Sequence, residues 1–454
     1  MTICTRASSR WWDDLPASAR AARIGLALLV GLALTWLVDS WLAAGSTLFF
    51  ANTLLTSDTI TKESLRLLAN NLVFCKSINR KYDSYFSGEG ASSRNGDSVR
   101  VRKPPRYLGR TGSAMVTEAI EETSVTVTLD TEFGVDLEVS NKDLTLSLDN
   151  FSDKCLAPAV SRIATYIDQK CMEKAAKVIP YSVGTPGTIP TALLTYGLAG
   201  SKLDDNAAPQ DEHRYMTISS RMQTYIVDAA KGLFQASQEI ARQYRKGRMG
   251  MFGGFTWQMS QNVYTHTVGA FAGTPLVNGA GQSGTSLVTD GWTATTSVIN
   301  EGDILTLAGS NHVNPSNYMS TGELQQQRVT GPVTADASGN KTIGISPGIT
   351  TSGARQTVDA APANNAVISV VGAASTQTPQ GIAHHRDVIT LAMADLPRPK
   401  GKDMVGLISD EQTGLAMRFV RDFETRSGQW LTRIDVIFGV ADLRGESLGC
   451  RLAS

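Results

Sequence analysis

The chain has 454 residues, a length that suggests roughly two or three domains, and its 42 Lys and Arg residues balance 42 Asp and Glu residues to a formal net charge of zero. This balance argues against a general electrostatic affinity for nucleic acid, which needs clustered positive charge, while leaving room for a local basic patch. Hydrophobic residues make up 42% of the chain, enough for a packed core.

The N-terminal segment carries a nearly unbroken apolar run over residues 24–37, with Arg20 and Arg23 before it and Asp39 after it. The run is short for a membrane span, which needs about 20 residues, and its flanks are similar to those of a signal peptide. Three interpretations compete: a signal or anchor, a structural arm, or upstream sequence translated from a misassigned start. We favour the last, an extension outside the working fold, because nothing downstream has the character of a secreted protein.

The first predicted helix covers residues 61–73, where Leu65, Leu68 and Leu72 recur at helical spacing after a capping residue at Ser57 or Asp58.

Residues 98–139 are the most informative part of the chain. Apolar and polar residues alternate on both sides of a turn that contains Gly and Arg, which predicts a long β-hairpin. The first arm carries the basic residues Arg94, Arg100, Arg102, Lys103, Arg106 and Arg110. The second arm carries the acidic residues Glu118, Glu121, Glu122, Asp130, Glu132, Asp136 and Glu138.

The charge pattern of this hairpin leaves two interpretations open. In one, the hairpin is solvated and its mutual salt bridges contribute little to stability. In the other, a long hairpin that is poorly suited to folding alone reaches across a neighbouring copy, with its basic arm toward an acidic surface.

The longest helix is predicted over residues 150–178. One apolar stripe is marked by Leu156, Val160, Ile163, Ile167 and Cys171, which predicts packing against a sheet. The polar residues are expected elsewhere on the helix: Arg162, Asp168, Lys170 and Glu173. A Gly/Pro/Thr linker is predicted over residues 182–190 and a further helix over 219–245, whose basic end we interpret as favourable for a helix C-terminus.

Between residues 269 and 380 the composition shifts to Gly, Ser, Thr, Ala and Val, with few charges. Short strands are predicted at 297–299, 303–307, 328–333, 341–345 and 366–371, and this spacing is typical of a small β-barrel or sandwich. Mixed character returns after His385, so the segment is expected to be an insertion. Further strands are predicted in the last segment.

No catalytic signature is present: the chain lacks a P-loop, a nucleophile elbow and a His-Glu-x-x-His motif. The five cysteines are scattered without zinc spacing and suggest reduced thiols in a cytosolic protein. His384 and His385 are adjacent and point apart, which disfavours a shared metal. We therefore predict no catalytic residue, no cofactor and no metal.

Several motifs resemble, in the same order, those of a tailed-phage major coat protein. They are Ala51-Asn-Thr-Leu-Leu-Thr-Ser-Asp, Val99-Arg-Val-Arg-Lys-Pro, Phe133-Gly-Val-Asp, Gln243-Tyr-Arg-Lys-Gly, Gln261-Asn-Val-Tyr-Thr-His-Thr and Arg433-Ile-Asp-Val-Ile-Phe-Gly-Val. The resemblance is to the coat family of the short-tailed Salmonella phage, whose members carry an inserted β-domain. It covers residue 51 to the end. Family members usually begin with Met directly before the Ala-Asn-Thr match, where this chain has Phe50.

The resemblance implies an α+β, Hong Kong 97-like phage capsid fold with an inserted small β-barrel. It further implies the following division of the chain: an extra segment over 1–48, an N-terminal arm over 49–97, the E-loop, P-domain strands and spine helix over 98–190, the first part of the A-domain over 191–268, the inserted barrel over 269–380, and completion of the A- and P-domains over 381–454.

It also implies a non-enzymatic subunit that self-assembles into pentamers and hexamers of an icosahedral shell around double-stranded DNA. The resemblance further implies a scaffolding protein and a portal as partners, without sequence-specific DNA binding and without a membrane partner. It implies assembly in the host cytoplasm and residence in the virion. Position in the family order favours intersubunit contact for the hairpin. The candidate contact residues are Arg100, Arg102, Lys103, Arg106, Arg110, Glu118, Glu121 and Glu122.

Two alternatives remain at this point. One is the shell protein of an encapsulin-type bacterial nanocompartment, which shares the fold and which the inserted β-domain disfavours. The other is a membrane-anchored, β-rich surface protein, motivated by the apolar run at 24–37.

Overall fold

The structure is a computed structural model that describes residues 67–68, 72–82, 86, 98–120, 122–140, 156–230, 250–410, 415–426 and 428–454. These residues form a mixed α+β fold, as the sequence predicts. The helices are α1 (Ala157–Val178), α2 (Leu193–Asp205) and α3 (Ser220–Ala230), with a short 3₁₀ turn at Phe74–Lys76.

The strands of the described ranges are β1 (Ser98–Arg102), β2 (Ser124–Thr128), β3 (Thr131–Ser140), β4 (Ser182–Val183), β5 (Arg214–Ile218), β6 (Met251–Phe252), β7 (Phe255–Met259), β8 (Thr265–Thr267), β9 (Gly273–Val277), β10 (Gly284–Trp292), β11 (Val298–Ile299), β12 (Ile304–Val313), β13 (Ser320–Val329), β14 (Val333–Thr334), β15 (Lys341–Ile349), β16 (Ile368–Val370), β17 (Gln377–His385), β18 (Ile389–Ala394), β19 (Met404–Asp410), β20 (Leu415–Glu424), β21 (Gln429–Asp442) and β22 (Gly449–Ala453).

The first sheet is built around β21, which is long enough to pair with β18 and β20 on one side and with β3 on the other, all antiparallel. Helix α1 packs on this sheet through its apolar stripe, and the predicted stripe residues are buried. Tyr166 stacks on Phe133 of β3 at 3.8 Å between ring centroids and meets Phe438 of β21 edge-on at 6.3 Å. The predicted packing of this helix against a sheet is thus confirmed.

The second sheet has the order β4-β22-β17-β5-β7-β6, with β8 also paired to β17. Its β4–β22 and β5–β7 pairs are parallel and its other pairs antiparallel. Helix α2 packs against β22, β4 and β17. Every residue of β22 is buried.

The third sheet runs in the order β16-β12-β13-β15-β10-β9 and has its own hydrophobic core, which includes Leu287, Leu305 and Ile343. Its two edge strands meet: Val277 donates its N–H to the carbonyl of Ala366 at 3.0 Å, and Leu276 bridges to Val367. The sheet therefore closes into a barrel, and we call β9–β16 the barrel. Four of the predicted short strands overlap β11, β12, β15 and β16, whereas the strand predicted at 328–333 is wrong, because these residues include the turn between β13 and β14.

Two expectations are corrected by the structure. The predicted hairpin is shorter: β1 pairs with β2, while β3 leaves it and pairs with β21, because alternation fixes a face but not a partner. The predicted start of helix α1 at residue 150 is not tested, because residues 150–155 lie outside the described ranges. Asp168 is fully buried on α1, where it accepts hydrogen bonds from the N–H groups of Val73 (2.7 Å) and Cys75 (3.0 Å).

Other expectations fall partly or wholly on residues that the structure does not describe. These include the apolar run at 24–37, most of the first predicted helix, and the C-terminal part of the helix predicted to reach 245. Helix α2 was not predicted and begins just after the expected linker. Within the described ranges, no helix is both long enough and apolar enough to cross a membrane.

Candidate assembly surface

The base of the β1–β2 hairpin is anchored on the first sheet. Val101 and Val127 are buried in a small cluster with Ala392 of β18 and Ala441 of β21. Gly439 makes this approach possible, because a Cβ there would lie 2.7 Å from the carbonyl carbon of Thr128 at the end of β2. The hairpin therefore leaves the body of the subunit from a fixed position.

Beyond the paired strands lies a loop over residues 103–123, which we call the tip loop. Lys103 donates its N–H to the carbonyl of Thr123 at 2.7 Å and extends the ladder by one step. The described residues beyond this step form no regular secondary structure. Pro104 and Pro105 follow and stiffen the first limb of the loop, because proline fixes φ.

Two of the predicted contact residues stabilise the tip loop itself. The Glu118 carboxylate accepts the N–H groups of Leu108 (2.9 Å) and Gly109 (2.8 Å). The Arg110 guanidinium donates to the carbonyls of Gly112 and Ala114, the latter at 3.0 Å. The loop thus holds a defined shape without a hydrophobic core.

The remaining predicted residues are dispersed along the hairpin. Arg102 and Glu122 form an exposed salt bridge of 3.0 Å, and Arg100 is exposed opposite Thr126. Arg106 lines a small cavity against the body of the subunit. Glu121 lies outside the described residues.

The acidic residues assigned to the second arm belong partly to another element. Glu132 and Asp136 lie on β3 in the first sheet, at 3.8 Å from Arg418 and 3.6 Å from Arg433, respectively. These carboxylates thus face arginines of the same chain. The charge segregation read from the sequence is therefore weaker on the hairpin than predicted.

The sequence interpretation missed an apolar group on the tip loop. Five large hydrophobic side chains are exposed there: Tyr107 (51%), Leu108 (51%), Met115 (82%), Val116 (66%) and Ile120 (67%). Soluble monomers rarely expose large apolar patches, and several large apolar side chains exposed on one loop indicate an interaction site. The available signal was the presence of large apolar residues in a segment with neither helix nor strand periodicity.

The histidine pair has structural partners. His384 is buried, contacts the Ser77 hydroxyl at 3.1 Å and packs at a tilt against the Phe74 ring, with 4.9 Å between ring centroids, and burial lowers its pKa to about 3. His385 lies 3.2 Å from the Asp211 carboxylate. In the part of the chain that is described, no group of three or more His, Cys, Asp or Glu side chains is arranged to hold a metal ion.

A family model described as "P22 coat protein - gene protein 5" matches residues 51–454. The chain belongs to the P22 coat protein family. It is a phage major capsid protein, a structural subunit that self-assembles into a shell and resides in the virion. The coat protein family expected from the resemblance is confirmed with it, and the nanocompartment and surface-protein alternatives are not favoured.

Solved structures similar to this coat protein include one from Mycobacterium phage Che8, at 12% identity over 84% of this chain and 90% of that chain, with a TM-score of 0.41. The capsid of Ralstonia phage GP4 is 9% identical over 83% and 91% of the two chains, with a TM-score of 0.41. The CUS-3 coat protein I-domain is 23% identical over 22% of this chain and 98% of that chain, with a TM-score of 0.17. Among curated proteins, none matches the chain.

Proposed function

We propose that the tip loop is a contact by which each coat subunit binds its neighbours in the pentamers and hexamers of the shell. The observation that carries this proposal is the group of five apolar side chains exposed on the loop. Burying one such side chain contributes about 1.5–3 kcal/mol, and every subunit would repeat the contact. A loop of defined shape is also suited to a repeated contact, because less of it has to be ordered on association.

The exposed charges of the hairpin would set the register between copies more than the affinity. Arg100 and Arg102 are on the outer face of β1, where salt-screened pairs contribute little to stability but discriminate between partners. We assign the same role to Lys103 and Glu122. Arg106, Arg110 and Glu118 would act indirectly, since the structure places them against the subunit or within the loop itself.

The parts of the chain take the roles that the family order implies. Residues 49–97 would form the N-terminal arm, and 98–190 the E-loop, P-domain strands and spine helix, with α1 as the spine. Residues 191–268 and 381–454 would build the A-domain and complete the P-domain, and 269–380 would be the inserted barrel. The closed barrel with its own core supports the last assignment.

The other proposed partners, a scaffolding protein and a portal, are those that assembly of a phage shell requires. Assembly would take place in the host cytoplasm with a scaffolding protein and would incorporate a portal. A chain of zero net charge suits a wall that encloses DNA without sequence-specific binding. No catalytic step is needed for any of these roles.

Assembly of variants with the scaffolding protein co-expressed tests the contact. In Met115→Ser/Ile120→Ser the two most exposed apolar side chains of the loop are removed, and we expect the subunit concentration needed for shells to rise by about tenfold or more. Val367→Ser is a matched control, because Val367 is also exposed (55%) but lies on the barrel. Normal shells from the double variant, by sedimentation and negative-stain microscopy, would show that the loop is not a contact.

A charge swap separates the two roles of the hairpin charges. Arg100→Glu/Arg102→Glu should impair assembly more than folding. Arg102→Glu/Glu122→Arg keeps an ion pair within the hairpin but reverses its orientation. If the swap restores assembly fully, the charges serve the subunit itself; if assembly remains impaired, they meet a neighbour.

A further inference from the structure

We propose that the barrel positions the tip loop within its own subunit, through Tyr318 and Arg355, before the loop meets a neighbour. This inference rests on the proposed function of the loop in assembly. It assigns to the barrel a role that the loop sequence alone does not contain. Tyr318 and Arg355 are positioning residues, since they act through the loop.

The two residues contact opposite limbs of the loop. The Tyr318 hydroxyl donates to the carbonyl of Tyr107 at 3.1 Å, on the first limb. The Arg355 guanidinium donates to the Thr123 hydroxyl at 3.3 Å, on the second limb. One barrel thus contacts both sides of the loop near its base, which fixes the direction in which the loop projects.

The backbone of the barrel is shaped for this contact at Tyr318. Its φ of +57° lies in the left-handed region, which is unfavourable for a bulky aromatic residue. Hydrogen bonds across the turn, from Tyr318 N–H to the Asn314 carbonyl (2.9 Å) and from Met319 N–H to the Asn317 side chain (2.9 Å), hold this conformation. Residues kept in such conformations concentrate at functional positions.

The same hydroxyl lies 3.4 Å from the carbonyl of Ala354, next to Arg355. The barrel segments around residues 318 and 355 therefore meet at the tip loop. Both contacts join positions more than two hundred residues apart in sequence, at separations of 211 and 232. They form only when the barrel is folded and docked.

A cavity beneath these contacts brings together the loop, the barrel and the body of the subunit. Arg106 of the loop lines it with His312 and Gln356 of the barrel and with Tyr181 and Glu446 of the body. His312 is fixed there by the Gln325 side chain at 2.5 Å. Arg106 thus contributes to this cavity although, like the apolar side chains of the loop, it is exposed to solvent.

The barrel contacts determine whether the loop loses its conformational entropy during folding or during association. Fixing the backbone of a long loop opposes association if it happens at the interface. When the barrel orders the loop in the free subunit, that entropy is lost during folding instead. Subunits with a positioned loop then assemble at lower concentration than subunits whose loop is released.

Hydrogen exchange of the free, full-length subunit tests this directly. Tyr318→Phe removes one hydroxyl, keeps the ring and introduces no new backbone demand. Arg355→Gln removes the guanidinium and shortens the side chain, so that its amide no longer reaches the Thr123 hydroxyl. In the double variant we expect the hydrogen-bonded amides of the loop, those of Lys103, Leu108 and Gly109, to exchange at least several-fold faster, with an unchanged unfolding midpoint and a several-fold higher subunit concentration required for assembly. Ser316→Ala removes a hydroxyl from the same turn of the barrel and should change none of these.

Unchanged exchange of the loop in the double variant would overturn the proposal. Should the double variant fold poorly, Arg355→Gln alone is measured in the same way, and unchanged exchange overturns it equally. A different result would show that the proposed function of the loop in assembly is wrong. Met115→Ser/Ile120→Ser would then assemble normally, whereas the exchange result reports on the barrel contact whether or not the loop touches a neighbour.

Discussion

Gly134 lies directly opposite Asp435 in the antiparallel pair of β3 and β21. Asp435 is fully buried and accepts hydrogen bonds from Arg418 (2.5 Å) and Arg433 (2.7 Å). A Cβ at Gly134 would lie 2.7 Å from the carbonyl of Ile434 and would also clash with the Asp435 carboxylate. The absence of a side chain at Gly134 therefore allows two arginines to share one buried carboxylate inside a sheet.

Gly134→Ala should destabilise the subunit by about 1–3 kcal/mol, because the added methyl forces the carboxylate or the strand to move. Urea denaturation of the unassembled subunit measures the loss. Gly197→Ala is the matched control: that glycine lies in helix α2 with open space around it, so alanine should stabilise by up to about 1 kcal/mol. Equal effects of the two variants would contradict the steric explanation.

Asp168→Ala should destabilise by about 2–4 kcal/mol, since the N–H groups of Val73 and Cys75 both lose their acceptor. Asp168→Asn retains one carbonyl oxygen and should lose less. Lys174→Ala, on the exposed side of the same helix, should remain within about 0.5 kcal/mol of the wild type. A wild-type free energy of unfolding for Asp168→Ala would show that the segment at Val73 is not held by this carboxylate.

Lys341 gives the stability a defined pH dependence. It is enclosed in the barrel, with its ammonium 4.0 Å from the centre of the Trp292 ring, and burial lowers its pKa to about 8 from the ordinary 10.5. Between these pKa values the unfolded chain binds more protons than the folded one, so this group makes stability rise with pH from about 8 to 10.5. Below that window its unfavourable effect is fully present.

Unfolding of the full chain at several pH values between 7.5 and 10 measures this slope. Lys341→Met keeps the length and the contact with Trp292 but cannot titrate, so the difference between wild type and variant should shrink as the pH rises. A difference that is independent of pH would contradict the assignment.

The Arg102–Glu122 pair should contribute little to the fold. Both side chains are largely exposed, at 76% and 47%, so a double-mutant cycle with Arg102→Gln and Glu122→Gln should give a coupling of about 0.2–1 kcal/mol in the unassembled subunit. A coupling above about 2 kcal/mol would mean that the pair serves the subunit and would weaken its proposed role between copies.

Local sequence patterns were sufficient to predict the elements that bury one face along their whole length. The stripe of Val160, Ile163 and Ile167 identified a helix with one buried face, and turn residues at a regular spacing identified most of the strands that were predicted in the barrel. Such patterns report which face is buried. They do not report which strand lies alongside, and for that reason β3 was assigned to the hairpin when it pairs with β21.

Features that depend on partners distant in the sequence could not be predicted from it. Asp168 has the chemistry of a surface residue until the N–H groups near Val73 are brought to it from 95 positions earlier. On the tip loop, the charged residues were predicted to make contacts because they form a pattern in the sequence. Met115 and Ile120 form no such pattern. Their significance comes from exposure, which only a folded subunit defines.

The place of β22 between β4 and β17 has a consequence during synthesis. Until residues 449–453 have been synthesised, the short edge strand β4 has no neighbour in the sheet and β17 lacks its partner on one side. For that interval β4 and β17 present unpaired edges, which are templates for pairing with other chains. Crowded polysomes making this protein therefore depend on whatever shields those edges until translation reaches the strand that joins them.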